Sequence, residues 1–338
     1  MMTTGKSAVL LINVGTPDSP SVRDVRSYLF EFLNDPRVID LPWLLRKILV
    51  NLIIVPFRAP KSAKLYQQLW TDKGSPLSLH SNNVRDRLQE QLGENYAVFV
   101  AMRYANPNIR DVLERIRFSS FNELIVVPMF PHYASSSTGT ALEAVLHQVK
   151  KWTVIPEIKI VGQFYNDPKF LDAFAEQISK YHPEAYDHVL FSYHGLPLSH
   201  INSIHPEIPC KECSCTKALP PHGAFCYKAT TYETTRLLAT RLGLPEGKFS
   251  QSFQSRLSDN WLEPFTDKQL ENMAKQGTKS ILIVAPAFVA DCLETTVELG
   301  VDFKQQFLEA GGEKLEYVES LNDSPLWIDA IKNMVEKG

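Results

Sequence analysis

ELIVVPMFPHYASSSTGTALEAVLHQVK, residues 123–150, holds one complete strand–turn–helix unit. From Leu124 to Met129 the run is apolar with no alternation, and it ends at Phe130-Pro131. A strand apolar on both sides is buried on both faces, as in a parallel sheet covered by helices. The hydroxyl-rich turn YASSSTG then leads into a helix predicted over 139–150, with oxygens suited to capping and N–H groups suited to an anion. Ordinary capping explains that turn as well as anion binding does.

The same alternation extends in both directions. Toward the N-terminus, strands are predicted at 8–14 and 96–102, with helices at 21–34, 62–67, 79–92 and 108–117. Toward the C-terminus, the pattern restarts with a strand at 157–161. Strands at 187–193, 249–253, 280–285 and 315–318 follow, separated by helices at 168–181, 231–242, 266–276 and 292–310. Two sets of about four strands predict an α/β fold of two Rossmann-like domains, each a parallel sheet flanked by helices. The expected boundaries are 1–160 and 161–324, with a terminal helix in 325–338 packing back on the N-terminal domain. Neither a P-loop nor a GxGxxG turn occurs.

The chain has 338 residues, 44% of them apolar, enough for two real cores. A formal net charge of −3 argues against a nucleic-acid partner, which leaves a basic footprint. The opening MMTTGKSAVLLINVG reads directly into a strand, with no secretion signal, so a cytoplasmic location with reduced cysteines is expected. The most apolar window is LPWLLRKILVNLIIVPF, 41–57. Arg46, Lys47 and Asn51 interrupt it and Pro42 and Pro56 bracket it, so it reads as an amphipathic or buried helix and not a bilayer span. Its composition also suits a helix lying on a membrane surface.

Several segments could carry chemistry. In FSYHGLP, 191–197, His194 follows an apolar strand and precedes a forced turn. That place suits a catalytic base and a strand-capping turn residue equally. In APAFVADCLETTVELG, 285–300, Asp291, Glu294 and Glu298 are followed by Asp302 at spacings that put four acids on one α-helical face. Such a face is either solvated surface or a carboxylate line for a divalent cation or protons. Arg103 and Tyr104, just after the strand ending at Met102, could add a cation and a hydroxyl. Cys210, Cys213, Cys215 and Cys226 form C-x2-C-x-C-x10-C in a proline-rich segment with little apolar content to bury them. Four thiols suit a [2Fe–2S] cluster or tetrahedral Zn²⁺, with His205 or His222 able to replace one. The plainer reading is exposed, reduced cysteines.

These segments, with LLINVGTP, RAPKSAKLYQQLWTDKGSPL, AMRYANP, FPHYASSSTGTAL, SFQSRLSDNWLEPFTD and SLND, resemble the ferrochelatase family in order along nearly the whole chain. HGLP and D-x-x-E-T are the most specific of them. The resemblance implies insertion of Fe²⁺ into a porphyrin in haem biosynthesis, with protoporphyrin IX favoured over coproporphyrin III. It implies a porphyrin cleft between two Rossmann-like domains. His194 would be the essential histidine, as proton acceptor or metal ligand, and Glu294 its partner acid, with Asp291 and Glu298 carrying metal in or protons out. Asn13 and Val14 match floor positions beside the ring. Arg103, Tyr104, Tyr133 and Ser137 match rim positions, and Trp261 and Phe288 wall positions. The 41–57 helix falls at the family's pocket lip, which implies peripheral membrane contact. Relatives with [2Fe–2S] clusters favour iron–sulfur over zinc at the cysteines. Cys292 departs from the histidine of animal members. A sirohydrochlorin chelatase for cobalt or nickel, and a non-catalytic tetrapyrrole carrier or haem sensor, are the rival readings. The apolar lip disfavours the first, and the pairing of His194 with Glu294 disfavours the second.

Overall fold

A computed structural model describes residues 6–119 and 121–337. Eight strands form two four-stranded parallel sheets. The first contains β1 (Ser7–Asn13), β2 (Tyr96–Met102), β3 (Glu123–Pro128) and β4 (Glu157–Ile160), ordered β2-β1-β3-β4. The second contains β5 (His188–His194), β6 (Phe249–Gln254), β7 (Ser280–Val284) and β8 (Lys314–Tyr317), ordered β6-β5-β7-β8. The 157–161 segment therefore closes the first sheet, pairing Glu123 with Glu157, and does not restart the pattern.

Of the described residues, those up to Phe130, Ser135–Gly162 and those from Ile328 on form one compact unit. Pro131–Ala134 and Gln163–Trp327 form the other. Four residues of the first half thus belong with the second sheet's unit: the Pro131 carbonyl accepts from the Phe164 N–H at 2.9 Å.

Each sheet is covered on both faces, which is why its strands read as continuous apolar runs. In the first unit Ala8, Leu10 and Ile12 meet Leu124, Val126, Val145 and Val149. In the second, Ile281 and Ile283 meet Leu190, Leu270, Leu299 and Phe307. Burying one such leucine or isoleucine contributes about 1.5–3 kcal/mol.

The strand order matters for function. In each sheet the chain leaves the first strand toward one side, then returns to the other side of it. The switch points lie at the carboxyl ends of β1 and β3, and of β5 and β7, where open α/β sheets bind ligands. His194 ends β5, and the acidic segment follows β7.

Helices depart from expectation at three places. The 43–69 region is one helical run: α over Trp43–Ile48, π over Leu49–Ile54, α again over Val55–Leu69. Ser135–Gly139 is a π-turn ahead of the α-helix Thr140–Val149. The acidic segment is π-helical over Leu293–Phe303 before a short α-helix, Lys304–Glu309. An α-helix was expected throughout 292–310.

Candidate active site

β5 is buried from Val189 to Tyr193 and delivers His194, half-buried, at its carboxyl end. The next residue cannot carry a side chain without displacing something. A Cβ on Gly195 would stand 2.9 Å from the Gln254 carbonyl and 3.2 Å from the Trp261 ring. Its N–H donates to that same carbonyl at 2.7 Å, continuing the β5–β6 pairing past the strand ends. His194 Nδ1 lies 2.6 Å from the Gly195 carbonyl oxygen. A carbonyl only accepts, so Nδ1 carries the hydrogen and Nε2 of the neutral ring keeps the lone pair. Trp261 and Phe288 flank the imidazole, with ring centroids 6.3 and 6.4 Å away.

The acids following β7 divide into different environments. Asp291 lies ahead of the helix and is buried. Its Oδ1 accepts from Tyr317 Oη at 2.8 Å, Thr295 Oγ1 at 3.0 Å and the Ser320 N–H at 3.2 Å, and its Oδ2 from Asn322 Nδ2 at 2.8 Å. Both oxygens are committed to holding the loop. Asp302 is exposed. Glu294 and Glu298, both half-buried, share one environment with the end of β6. Gln254, the register partner of His194, donates from Nε2 to the Glu294 carbonyl at 2.9 Å and to Glu298 Oε2 at 3.4 Å. Its Oε1 accepts from Ser192 at 2.7 Å. Ser255 is left-handed, with φ of 60°, a conformation unfavourable for a side-chain-bearing residue. It turns its N–H onto Glu298 Oε1 at 2.9 Å and its hydroxyl onto Oε2. Burial, with the Glu294 charge adding to it, still lifts the Glu298 carboxyl to about 7 against the opposing bonds from Ser255. Cys292 caps the helix, and burial followed by the Glu294 charge holds its thiol well above the usual range. It is a neutral thiol there.

Within one unit, His194 packs with Trp261 and Phe288, and its register partner Gln254 reaches the Glu294 carbonyl and the Glu298 carboxylate. In the sequence Gly195 shows as the turn-former after His194, while Gln254 and Ser255 have no signal beyond the SFQSR segment.

In the first unit, the end of β1 carries Asn13, which donates to Ser81 Oγ at 2.7 Å, and half-buried Val14. The Asn13 and Val14 carbonyls accept from the Arg103 and Tyr104 N–H groups at 2.8 and 3.0 Å. Gly15 makes this approach possible: a Cβ there would sit 2.0 Å from the Tyr104 oxygen, and its φ is +113°. Tyr104, matched to a rim position, faces inward. It is buried, and its hydroxyl donates to Asp35 at 2.9 Å. Arg103 pairs with the same carboxylate at 2.6 Å, and Thr140 donates to it at 2.5 Å. The helix from Thr140 has Gly139, which has no side chain to donate or accept, at its N-cap. Ser137 is half-buried within the π-turn, and Ser135 accepts from Arg37 at 2.9 Å.

The ferrochelatase family model matches residues 6–338. A ferrochelatase of Opitutus terrae is 44% identical over 333 residues, spanning 97% of this chain and 96% of its own. The chain belongs to the ferrochelatase family. A ferrochelatase of Coxiella burnetii is 40% identical over 338 residues, covering 98% and 94% of the two chains. Among solved structures, SirB from Bacillus subtilis with Fe³⁺ superposes with a TM-score of 0.54 at 12% identity, covering 98% of this chain and 95% of that one. That likeness concerns the two-domain chelatase fold alone. As a ferrochelatase, the chain is a lyase of haem biosynthesis, with ferrous iron and a porphyrin as substrates.

Two further features of this ferrochelatase stand out. Along 43–57, Trp43, Leu52 and Phe57 are 65%, 68% and 72% exposed, and Leu44, Leu45, Ile48 and Ile53 are exposed beside them. The region is therefore no core helix. Arg46 turns inward, buried, and donates to the Leu41 carbonyl at 2.8 Å. No helix among the described residues is long and apolar enough to cross a membrane.

The cysteine segment is held on the helix Tyr227–Arg241. Lys228 Nζ donates to the Cys210 carbonyl at 3.0 Å, and Arg236 to the Thr216 carbonyl at 3.2 Å. Cys226 is the N-cap of that helix. Cys210, Cys215 and Cys226 are buried, contrary to the expectation that such a segment could not bury them. Burial first, and then the neighbouring cysteines, push all three thiols up, Cys215 to about 12. Cys213 Sγ lies 3.5 Å from His222 Nε2. The donor set fits a soft metal in number and kind, and the thiols are near enough to feel one another's charge. Among the described residues, however, no three His, Cys, Asp or Glu side chains stand as a ready chelating group.

Proposed function

We propose that this ferrochelatase inserts Fe²⁺ into protoporphyrin IX, with His194 as the base at the reacting centre and Glu294 and Glu298 as its metal and proton path. Insertion releases two pyrrole protons, so the site needs an acceptor and an exit. The observation that carries the reading is the arrangement around His194. Its Nδ1–H is bound to the Gly195 carbonyl, so Nε2 can take a proton or touch the metal, and its register partner Gln254 donates to the Glu298 carboxyl, whose pKa is about 7. A group half-ionised near neutrality can pass protons both ways. Trp261 and Phe288 supply aromatic surface for a flat macrocycle. Asn13, Val14, Arg103, Tyr133 and Ser137 are proposed as porphyrin contacts. Tyr104 and Asp291 would act through the residues they hold in place.

The exposed apolar side chains of 43–57 support protoporphyrin, with its two carboxylates, over coproporphyrin, with four. They also support peripheral membrane contact by an otherwise cytoplasmic enzyme. At the cysteines we propose a [2Fe–2S] cluster, with Zn²⁺ as runner-up. Either would tie the segment down without entering the insertion step.

The test is anaerobic absorption spectroscopy with Fe²⁺ or Zn²⁺ and each porphyrin in turn. The free-base bands should collapse faster with protoporphyrin, and His194→Ala should abolish the change while porphyrin affinity stays within a modest factor. A His194→Ala enzyme of near-normal turnover would sink the assignment. Anaerobic purification followed by iron, sulfide and zinc analysis tests the cysteines; matched iron and sulfide with visible colour are expected, and metal-free protein overturns the proposal.

A further inference from the structure

The cysteine segment and His194 meet at one residue. Tyr227, the first residue of the helix that bears the segment, is buried, and its hydroxyl donates to the backbone carbonyl of His194 at 3.0 Å. No sequence motif pointed to it. Its ring packs edge-on against His132 with centroids 5.9 Å apart, and His132 is itself buried and hydrogen-bonded to Thr234 of the same helix at 2.9 Å. The tyrosine is thus gripped along its ring and aims its one polar atom at the backbone of the proposed base.

The other end of the link is equally direct. Cys226 is the neighbouring residue and the helix N-cap, and its carbonyl accepts from the Thr230 N–H at 2.9 Å and Thr230 Oγ1 at 3.1 Å. Gly223 packs so closely that a Cβ would meet Pro220 at 2.9 Å and Ala229 at 3.0 Å. With Lys228 and Arg236 holding the Cys210 and Thr216 carbonyls, the segment grips the first turns of the helix at several points.

We propose that Tyr227 is a positioning residue for His194 and that the seating of the four-cysteine segment reaches the site through it. The His194 carbonyl and the Gly195 N–H belong to one peptide plane, held by Tyr227 at its oxygen and by the Gln254 carbonyl at its N–H, and the oxygen of the next peptide, on Gly195, fixes Nδ1. Losing the Tyr227 bond frees that peptide to tilt, and the imidazole with it. The inference rests on His194 as the reacting base. Site geometry displaced by a fraction of an ångström lowers turnover more than affinity.

Tyr227→Phe deletes only the hydroxyl. Loss of one hydrogen bond at a geometry-critical point should lower kcat for metal insertion by about five- to tenfold, with the porphyrin KM within twofold. Cys226→Ser should lower kcat in the same direction, and its effect should vanish in the Tyr227→Phe background, as coupled residues behave in a double-mutant cycle. Carbon-13 histidine labelling supplies a readout without turnover: the His194 imidazole signal, assigned by its loss in His194→Ala, should shift in both variants. Unchanged kcat and an unmoved His194 signal in Tyr227→Phe overturn the positioning role. Additive effects of the two substitutions overturn the transmission. If His194→Ala instead turns over normally, the base assignment fails, and the imidazole shift alone still decides whether Tyr227 positions His194.

Discussion

Glu298→Gln separates a functional carboxyl from a surface one by its pH dependence. The folded-state pKa is about 7 against an ordinary 4.5. At about 1.4 kcal/mol per pH unit, that gap is worth roughly 3 kcal/mol. Between the two values the folded chain holds a proton that the unfolded chain has lost. This group therefore favours folding below pH 4.5, and that contribution is lost as the pH rises through 7. In the amide there is nothing to ionise, so the loss disappears. Urea unfolding of both proteins at pH 5 and pH 8.5 should show the variant gaining on the parent by up to roughly 3 kcal/mol across that interval. Turnover at pH 7 should fall steeply at the same time, because the amide cannot carry a proton. A stability difference constant with pH would refute the raised carboxyl and with it the proton-path role.

Other perturbations discriminate equally well. Asp291→Asn should cost about 2–4 kcal/mol in urea unfolding, since both carboxylate oxygens hold donors that an amide satisfies only in part. Replacing Leu44, Leu45 and Ile48 by serine should leave stability within about 1 kcal/mol, because all three are exposed, while fluorescence-quenching titration shows weaker porphyrin capture. Gly195→Ala should reduce insertion tenfold or more in the absorbance assay, as the new methyl group displaces either the Gln254 backbone or Trp261.

The fold was legible because parallel strands buried on both faces leave an unmistakable trace. Every predicted strand is present; the 157–160 strand, four residues with two exposed positions, carries too little pattern to show by itself that it pairs with 123–126. His194 was legible for the same reason: it follows five buried residues and precedes a glycine that must lie close to another strand. Gln254, Ser255 and Tyr227 were not. Each acts through hydrogen bonds to residues tens of positions away in sequence, and no local periodicity records such a pairing. Asp35, which gathers Arg103, Tyr104 and Thr140, was invisible on the same grounds.

The acids were misplaced for a different physical reason. Spacings of three, seven and eleven residues align on one face only when each residue advances about 100°. The segment instead closes i→i+5 hydrogen bonds, so more than four residues fill a turn. Seven residues then cover well under two turns, and four fall just short of one. Glu294 and Glu298 remain neighbours under either geometry. Asp291 does not join them, because it precedes the first helical residue and is spent on the loop. π-Helices are uncommon and cluster at functional sites. Here they occur in the apolar 49–54 segment, the serine turn and the acidic segment, three stretches singled out for their chemistry. A wider turn changes which side chains stack without changing the amino-acid pattern that announces a helix. The residues that bear the chemistry could therefore be read from the sequence, while the face they share had to be seen in the backbone.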